Sequence, residues 1–345
     1  MTDTAQLASP PASRLAGFLS TGAAIFPGLV VAATVAVAAT FLSDHYGGPV
    51  MLFALLLGMA FNFLSEPGNK AAAGIQFSSK TLLRLAVGLL GAQITVAQIL
   101  ALGLTPVLTV ITAVILTIGF GVVAARFFGL SREFGVLTAG AVAICGASAA
   151  LAISTVLPRG ENHDRDTIFT VVAVTALSTI AMIAYPIVIA LFHLDHAAVG
   201  MFLGGTIHDV AQVVGAGYSV SEETGNVATF TKLLRVAMLL LVVFGLLLLF
   251  RRRGAAAGEA KATFPSFLLL FAALVIVNSL GVVPPPVLDV VKTVARWLLV
   301  TAIAALGVRT SIKQMAQVGG RAIGLMVAET LFLAALVLAV VLLRL

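Results

Sequence analysis

Charge is scarce in this chain. Asp, Glu, Lys and Arg together make up 10% of its 345 residues, while 60% are hydrophobic. Soluble domains carry about 25% charged residues, and a soluble fold of this size cannot hide so much apolar surface. With a mean hydropathy of +1.13, the composition excludes a soluble globular protein and makes the lipid bilayer the solvent of the chain. Cysteine is scarcer still: Cys145 stands alone, which excludes an intramolecular disulfide and any multi-cysteine metal or iron–sulfur centre. No phosphate-binding loop, HExxH, GxSxG or dinucleotide fingerprint occurs, so no catalytic constellation is visible, and no cofactor or metal is expected.

What is present is a succession of apolar runs of about 20 residues, the length of a spanning helix. Strands of a membrane barrel would alternate over roughly 10 residues instead. The expectation is an all-α polytopic membrane protein with about eleven spans. They lie near Gly22–Leu42, Pro49–Leu64, Thr81–Leu102, Pro106–Phe128, Phe134–Leu157, Thr167–Phe192, Ala197–Tyr218, Ala228–Phe250, Phe264–Leu280, Trp297–Ile312 and Ala322–Leu343. The N-terminal stretch MTDTAQLASPPASR is polar, and no small-residue cleavage site follows a short apolar core, so the first span is expected to stay.

With the N-terminus in the cytoplasm, one set of connections holds Lys70, Lys80, Arg126, Arg132, Arg251, Arg252, Arg253, Lys261, Lys313 and Arg321. The opposite connections SDHYGG, ALGLTP, SEETGN and GVVPPP hold no Lys or Arg, as the positive-inside rule requires. PRGENHDRD and HLDH fit this orientation less well. The C-terminus is then expected outside, in the periplasm of a bacterial inner membrane. The net charge of +6 follows from this bias and gives no reason to expect nucleic acid.

Two stretches repeat. LLR at Leu82–Arg84 recurs at Leu233–Arg235, each shortly after a lysine, and LTAGAVAICGAS from Leu137 aligns without gaps with VTAIAALGVRTS from Val300. A weaker match pairs Gly58 and Asn62 with Gly205 and Asp209. The order is the same in both halves, so after an N-terminal segment (1–48), residues 49–192 and 193–345 read as two copies of five spans. An odd number of spans inverts the second copy relative to the first, a pattern of secondary transporters.

Ionisable residues inside spans mark function by default. Cys145, Gly146 and Ser148 in span five, with Arg309 and Thr310 at the aligned position in span ten, are candidate substrate-binding residues. Gly tolerates irregular backbone and small hydroxyls satisfy freed amides, so both spans are expected to be interrupted there, exposing helix N-termini that favour anions. Arg309 either meets an anion at mid-depth or snorkels with Lys313. In span seven, His208, Asp209 and Gln212 have the spacing of one polar helix face, and with Glu329 in the last span they are candidate ion-coupling residues. Glu329 either carries a proton or neutralises Arg309 or Arg321. Arg84, Lys232 and Arg235 sit within two turns of expected span ends, where snorkelling is the default.

The strings GAVAICGASAALAISTVLP, GGTIHDVAQVVGAG, TKLLRVAML and ALGVRTS resemble the bacterial YeiH-type inner-membrane family, commonly labelled sulfate exporters and grouped with the cation/proton antiporter and anion transporter superfamily. The resemblance covers nearly the whole chain beyond the N-terminal tail. It implies one extra helix before a five-plus-five inverted repeat, two discontinuous helices crossing at mid-membrane, and a core domain that moves against a panel. Span five lacks the paired aspartates of sodium/proton antiporters. A transporter of a small anion is therefore expected, with an ion-translocating subunit of a membrane enzyme or a channel as the alternatives, and a homodimer left open.

Overall fold

An apolar run in a bilayer satisfies its backbone only by coiling on itself or by closing into a barrel. The computed structural model describes residues 11–46, 49–158, 162–251, 266–310 and 320–343, and among these there are helices and no strand. The helices are α1 (Pro11–Tyr46), α2 (Val50–Ala60), α3 (Ala72–Phe77), α4 (Leu83–Leu89), α5 (Val96–Ala101), α6 (Thr105–Phe127), α7 (Arg132–Ala143), α8 (Ala147–Ser154), α9 (His163–Ala190) and α10 (His196–Thr206). They continue with α11 (Val210–Val220), α12 (Glu222–Arg251), α13 (Ser266–Ser279), α14 (Pro285–Arg309) and α15 (Gly320–Leu343). A π turn at Ser78–Leu82 joins α3 to α4, and a 3-10 turn at Leu90–Gln93 follows α4, so Ala72–Gln93 is one continuous coil.

Six of the described helices are long and apolar enough to cross a membrane: α1 from Gly22, α6, α9, α12 to Phe250, α14 and α15. At the other expected spans the helices are short or interrupted. Three expected starts are corrected, the tenth span beginning at Pro285 rather than Trp297. The third span begins at Ala72 rather than Thr81, and ends before a separate α5, which Thr95 and Gln98 open with a reciprocal capping box. The eighth begins at Glu222 rather than Ala228. In the third and eighth spans polar residues that look like connection are helical because they face other helices and not lipid. Ser78, Ser79, Thr224 and Thr229 are all buried.

The helices pack as two bodies. The first holds α1 to α5 with α13 and α14, and the second holds α6 to α12 with α15; they meet chiefly where α11 lies against α2 and α14. Each body contains several tight crossings, Gly28 of α1 against Gly74 of α3 among them, and one in each bears on the site. In the first, Gly58 of α2 faces Gly307 of α14 so closely that a Cβ on either would overlap the facing backbone, at Ala304 O or Leu55 O. Asn62, just beyond α2, donates through Nδ2 to Val308 O at 2.8 Å. The crossing of the second body carries the candidate site.

Backbone contact of this kind depends on glycine. Gly307→Leu is expected to cost about 1–3 kcal/mol by overpacking and to lower the thermal midpoint of the purified protein. Gly245→Leu on α12, where nothing lies within 4 Å of the added atom, should leave it unchanged. Equal midpoints for the two variants would contradict the crossing.

Candidate functional site at a helix crossover

A helix that stops inside a membrane strands its last four carbonyls, and this happens twice at one place. Helix α7 ends at Ala143; Ile144 leaves the helical region (φ −112°, ψ −85°) and Gly146 takes φ +63°, ψ −128°, before α8 resumes at Ala147. A side chain is strained in that conformation, so glycine is required there. Helix α10 ends at Thr206, Ile207 and Asp209 are extended, and α11 starts at Val210. The two breaks touch, since a Cβ on Gly146 would lie 3.6 Å from His208 O and 3.8 Å from Asp209 Cβ.

The stranded carbonyls are met by two fully buried cations of α12. Lys232 Nζ donates to Ile144 O at 2.7 Å, to Ile207 O at 3.0 Å and to His208 O. Arg235 donates through Nε to Ala143 O at 2.9 Å, through Nη2 to Val142 O at 2.7 Å, and through Nη1 to Gly204 O at 3.1 Å and Ile207 O at 3.0 Å. Positive charge at two helix C-termini is also what the helix dipoles favour. All three ammonium protons are used, and one guanidinium spans both half-helices.

The residues of the second break are held from several sides. His208 is fully buried, with Nδ1 3.1 Å from Val142 O and Nε2 3.1 Å from Thr330 Oγ1 on α15. A carbonyl can only accept, so Nδ1 carries the hydrogen, and the ring ties α7 to α15. The backbone N–H of Asp209 donates to Ser178 Oγ of α9 at 3.0 Å. The Asp209 side chain is partly exposed and lies within electrostatic reach of Lys232 and Arg309. Gln212 is fully buried, with both amide atoms unpaired. His208, Asp209 and Gln212 therefore do not form one helix face: the break separates His208 from α11, Asp209 is the N-cap, and Gln212 lies in its first turn.

In span five, Cys145 is buried within the break, Gly146 is its pivot, and Ser148 in the first turn of α8 is exposed. In span ten the helix stops within the expected range, and the far side of that stop, residues 311–319, lies outside the described residues. Helix α14 runs unbroken through Gly307 and Val308 and stops at Arg309, with Thr310 as its C-cap. The helix that breaks opposite span five is span seven. Its interruption draws on His208 and Asp209, whose backbone is pinned by α7, α9, α12 and α15, whereas the small residues near Gly307 serve close packing on α2. Arg309 is exposed and donates through Nη1 to Ser79 Oγ at 3.1 Å, and the Thr310 hydroxyl is buried on its own helix, donating to Leu306 O at 3.0 Å. Glu329 is fully buried and pairs with neither Arg309 nor Arg321. Its Oε1 lies 2.8 Å from Thr138 Oγ1 and its Oε2 has no partner.

Lys232 and Arg235 are the residues that reading the sequence missed. Starting span eight at Ala228 puts them within two turns of the interface. Starting it at Glu222 puts them well inside the membrane, where a cation needs carbonyls or carboxylates. Two basic residues three apart on one face of an otherwise apolar helix were the available signal.

Comparison with known sequences covers nearly all of this architecture. Residues 27–326 match the family described as Conserved hypothetical protein 698. A UPF0324 membrane protein of Chlorobaculum tepidum is 58% identical over 315 residues, covering 91% of this chain and 88% of its own. The UPF0324 membrane protein TauZ of Paracoccus pantotrophus is 52% identical over 317 residues, covering 91% and 94%. A UPF0324 membrane protein of Bordetella pertussis is 35% identical over 337 residues, covering 94% and 93%.

Removing one clamp cation leaves carbonyls buried and unmet, each costing about 1–3 kcal/mol. Lys232→Met is expected to lower the thermal midpoint by several degrees and to raise proteolysis within residues 142–149. Gly146→Ala should cost about 1–3 kcal/mol through backbone strain alone. A Lys232→Met protein as stable as the wild type would show that the ammonium does not hold the crossover.

Proposed function

The chain belongs to the UPF0324 family of membrane proteins, the YeiH-type family, and on that premise we propose that it is a secondary transporter exporting a small anion, sulfate or a sulfonate-related compound, by alternating access with a coupled proton. The observation that carries this reading is the polarity of the crossover. The carbonyl ends of α7 and α10 are closed by Lys232 and Arg235, while the N–H end of α8 has no side-chain cap and that of α11 faces the Asp209 carboxylate. Open amide ends attract anions.

The substrate sits between the bodies in this reading. The first amides of α8 and the Ser148 hydroxyl hold it from one side, and the Arg309 guanidinium reaches it from the other. An anion beside an ionised Asp209 is repelled, and a proton on Asp209 removes that repulsion, so anion and proton arrive and leave together. Glu329 is a second proton-carrying group. The single hydroxyl hydrogen of Thr138 faces three acceptors, Phe134 O at 3.0 Å, Gly135 O at 3.4 Å and Glu329 Oε1 at 2.8 Å, and a hydrogen on the carboxyl, donated to the hydroxyl oxygen, would leave the hydroxyl free to donate to the backbone. The narrow seam along α11 allows one body to rock on the other. Basic connections on one face support an inner membrane with the N-terminus inside.

Proteoliposomes holding the purified chain alone test the proposal. Saturable uptake of radiolabelled sulfate driven by a pH difference is expected. Arg309→Ala should abolish it, and Asp209→Asn should leave transport that no longer responds to pH. Transport unchanged in both variants would reject the mechanism. A need for a soluble partner would favour the ion-translocating subunit instead, and flux without saturation would favour a channel.

A further inference from the structure

Basic residues in the middle of an apolar coil have to be answered by something, and the two bodies differ in what answers them. In the second body every donor of Lys232 is used, and Arg235 is bonded through all three of its nitrogens. The first body carries a similar pair. Lys80 and Arg84 sit near the middle of the Ala72–Gln93 coil, four residues apart and so on one face. Lys80 lies in the π turn at Ser78–Leu82, an interruption of helix geometry that often accompanies function. Both side chains are exposed. Lys80 is within electrostatic reach of Arg84 and of Arg309, whose Nη1 is fixed on Ser79 Oγ at 3.1 Å.

No carboxylate of the described residues forms an ion pair with these three cations, although Asp209 lies within electrostatic reach of Arg309. Among the described residues the one ion pair is Arg165 with Asp166, elsewhere in the chain, and neither Lys80 nor Arg84 has a side-chain hydrogen bond there. Three like charges gathered on an apolar surface repel one another and lose hydration. An anion in their midst reverses both terms, with lysine and arginine donors matching a tetrahedral group of oxygens.

We propose that Lys80, Arg84 and Arg309, with the Ser79 hydroxyl, form a binding site for a tetrahedral oxyanion group, the sulfate, sulfonate or phosphate class, presented by a free anion or by a lipid headgroup. The site occupies the seam between the Ala72–Gln93 coil and the end of α14. As a holding station for the exported anion it rests on the transporter reading; as an oxyanion site it does not.

Equilibrium binding of radiolabelled inorganic sulfate to the protein in nanodiscs of phosphatidylcholine tests this. Lys80→Gln and Arg84→Gln are each expected to weaken binding at least about tenfold, the loss of one charge-assisted hydrogen bond, and Lys70→Gln to leave it unchanged. In nanodiscs with phosphatidylglycerol, displacement of sulfate from the wild type identifies a lipid headgroup as the occupant, and undiminished sulfate binding identifies the free anion. Unchanged affinity in both Lys80→Gln and Arg84→Gln, or no sulfate binding together with no retained phosphatidylglycerol, would overturn the site. A measurement on the unaltered protein guards against misfolded variants. Sulfate should slow acetylation of the Lys80 amine relative to Lys70, read by mass spectrometry, and equal rates would count against the site. Sulfate binding that is lost in the variants, in a protein that moves no sulfate, leaves the site standing and removes the transporter reading. Transport and binding both intact in the variants do the reverse.

Discussion

Backbone carbonyls that no water can reach govern this structure. Val142, Ala143 and Ile144 at the end of one half-helix, and Gly204, Ile207 and His208 at the end of the other, all point at donors from Lys232 and Arg235. Each of these groups left bare inside the membrane would cost about 1–3 kcal/mol, so the breaks exist only where α12 brings its cations. Placing both breaks around one pair of side chains forces α7–α8 and α10–α11 to cross at their gaps. The crossing in turn sets Gly146, just before the open amide end of α8, against His208 and Asp209. The cost of burying two cations is met by hydrogen bonds to carbonyl dipoles, with the Asp209 carboxylate within electrostatic reach of Lys232 but not bonded to it.

The glycine contact of the first body has a different logic. There Gly58 and Gly307 let two backbones approach, and no buried ammonium stands between them. Dense packing holds that crossing, and polar bonding holds the other. Such a difference would suit the proposed rocking of one body on the other, because neither crossing would have to open.

Much of the fold was legible in composition and run length. Apolar runs of membrane length gave α6, α9, α12, α14 and α15, and the Gly146 break was visible as small and hydroxyl residues where an apolar run should continue. The span-seven break was not, because His208 and Asp209 have helical spacing to Gln212, and only the tertiary partners Val142, Thr330 and Ser178 decide that the backbone is extended there. The alignment of Val300–Ser311 with Leu137–Ser148 pointed to an interruption in span ten, where α14 stops at Arg309. The shared residues are small in both segments, but in one they turn the chain and in the other they seat it against α2. Lys232 and Arg235 were misplaced because buried Thr residues near the true start of α12 look like loop, which moves two fully buried cations toward a span end.

The clamp also constrains how the protein is made. Both broken helices precede α12 in the chain, so during synthesis α7 and α10 enter the membrane before the residues that complete them. Until α12 arrives, their ends must be served by water or by the insertion machinery, and the crossover cannot take its final form. Helix α12 is therefore a keystone in time as well as in space: a nascent chain stopped before Glu222 holds two helices that the bilayer will not accept as they stand.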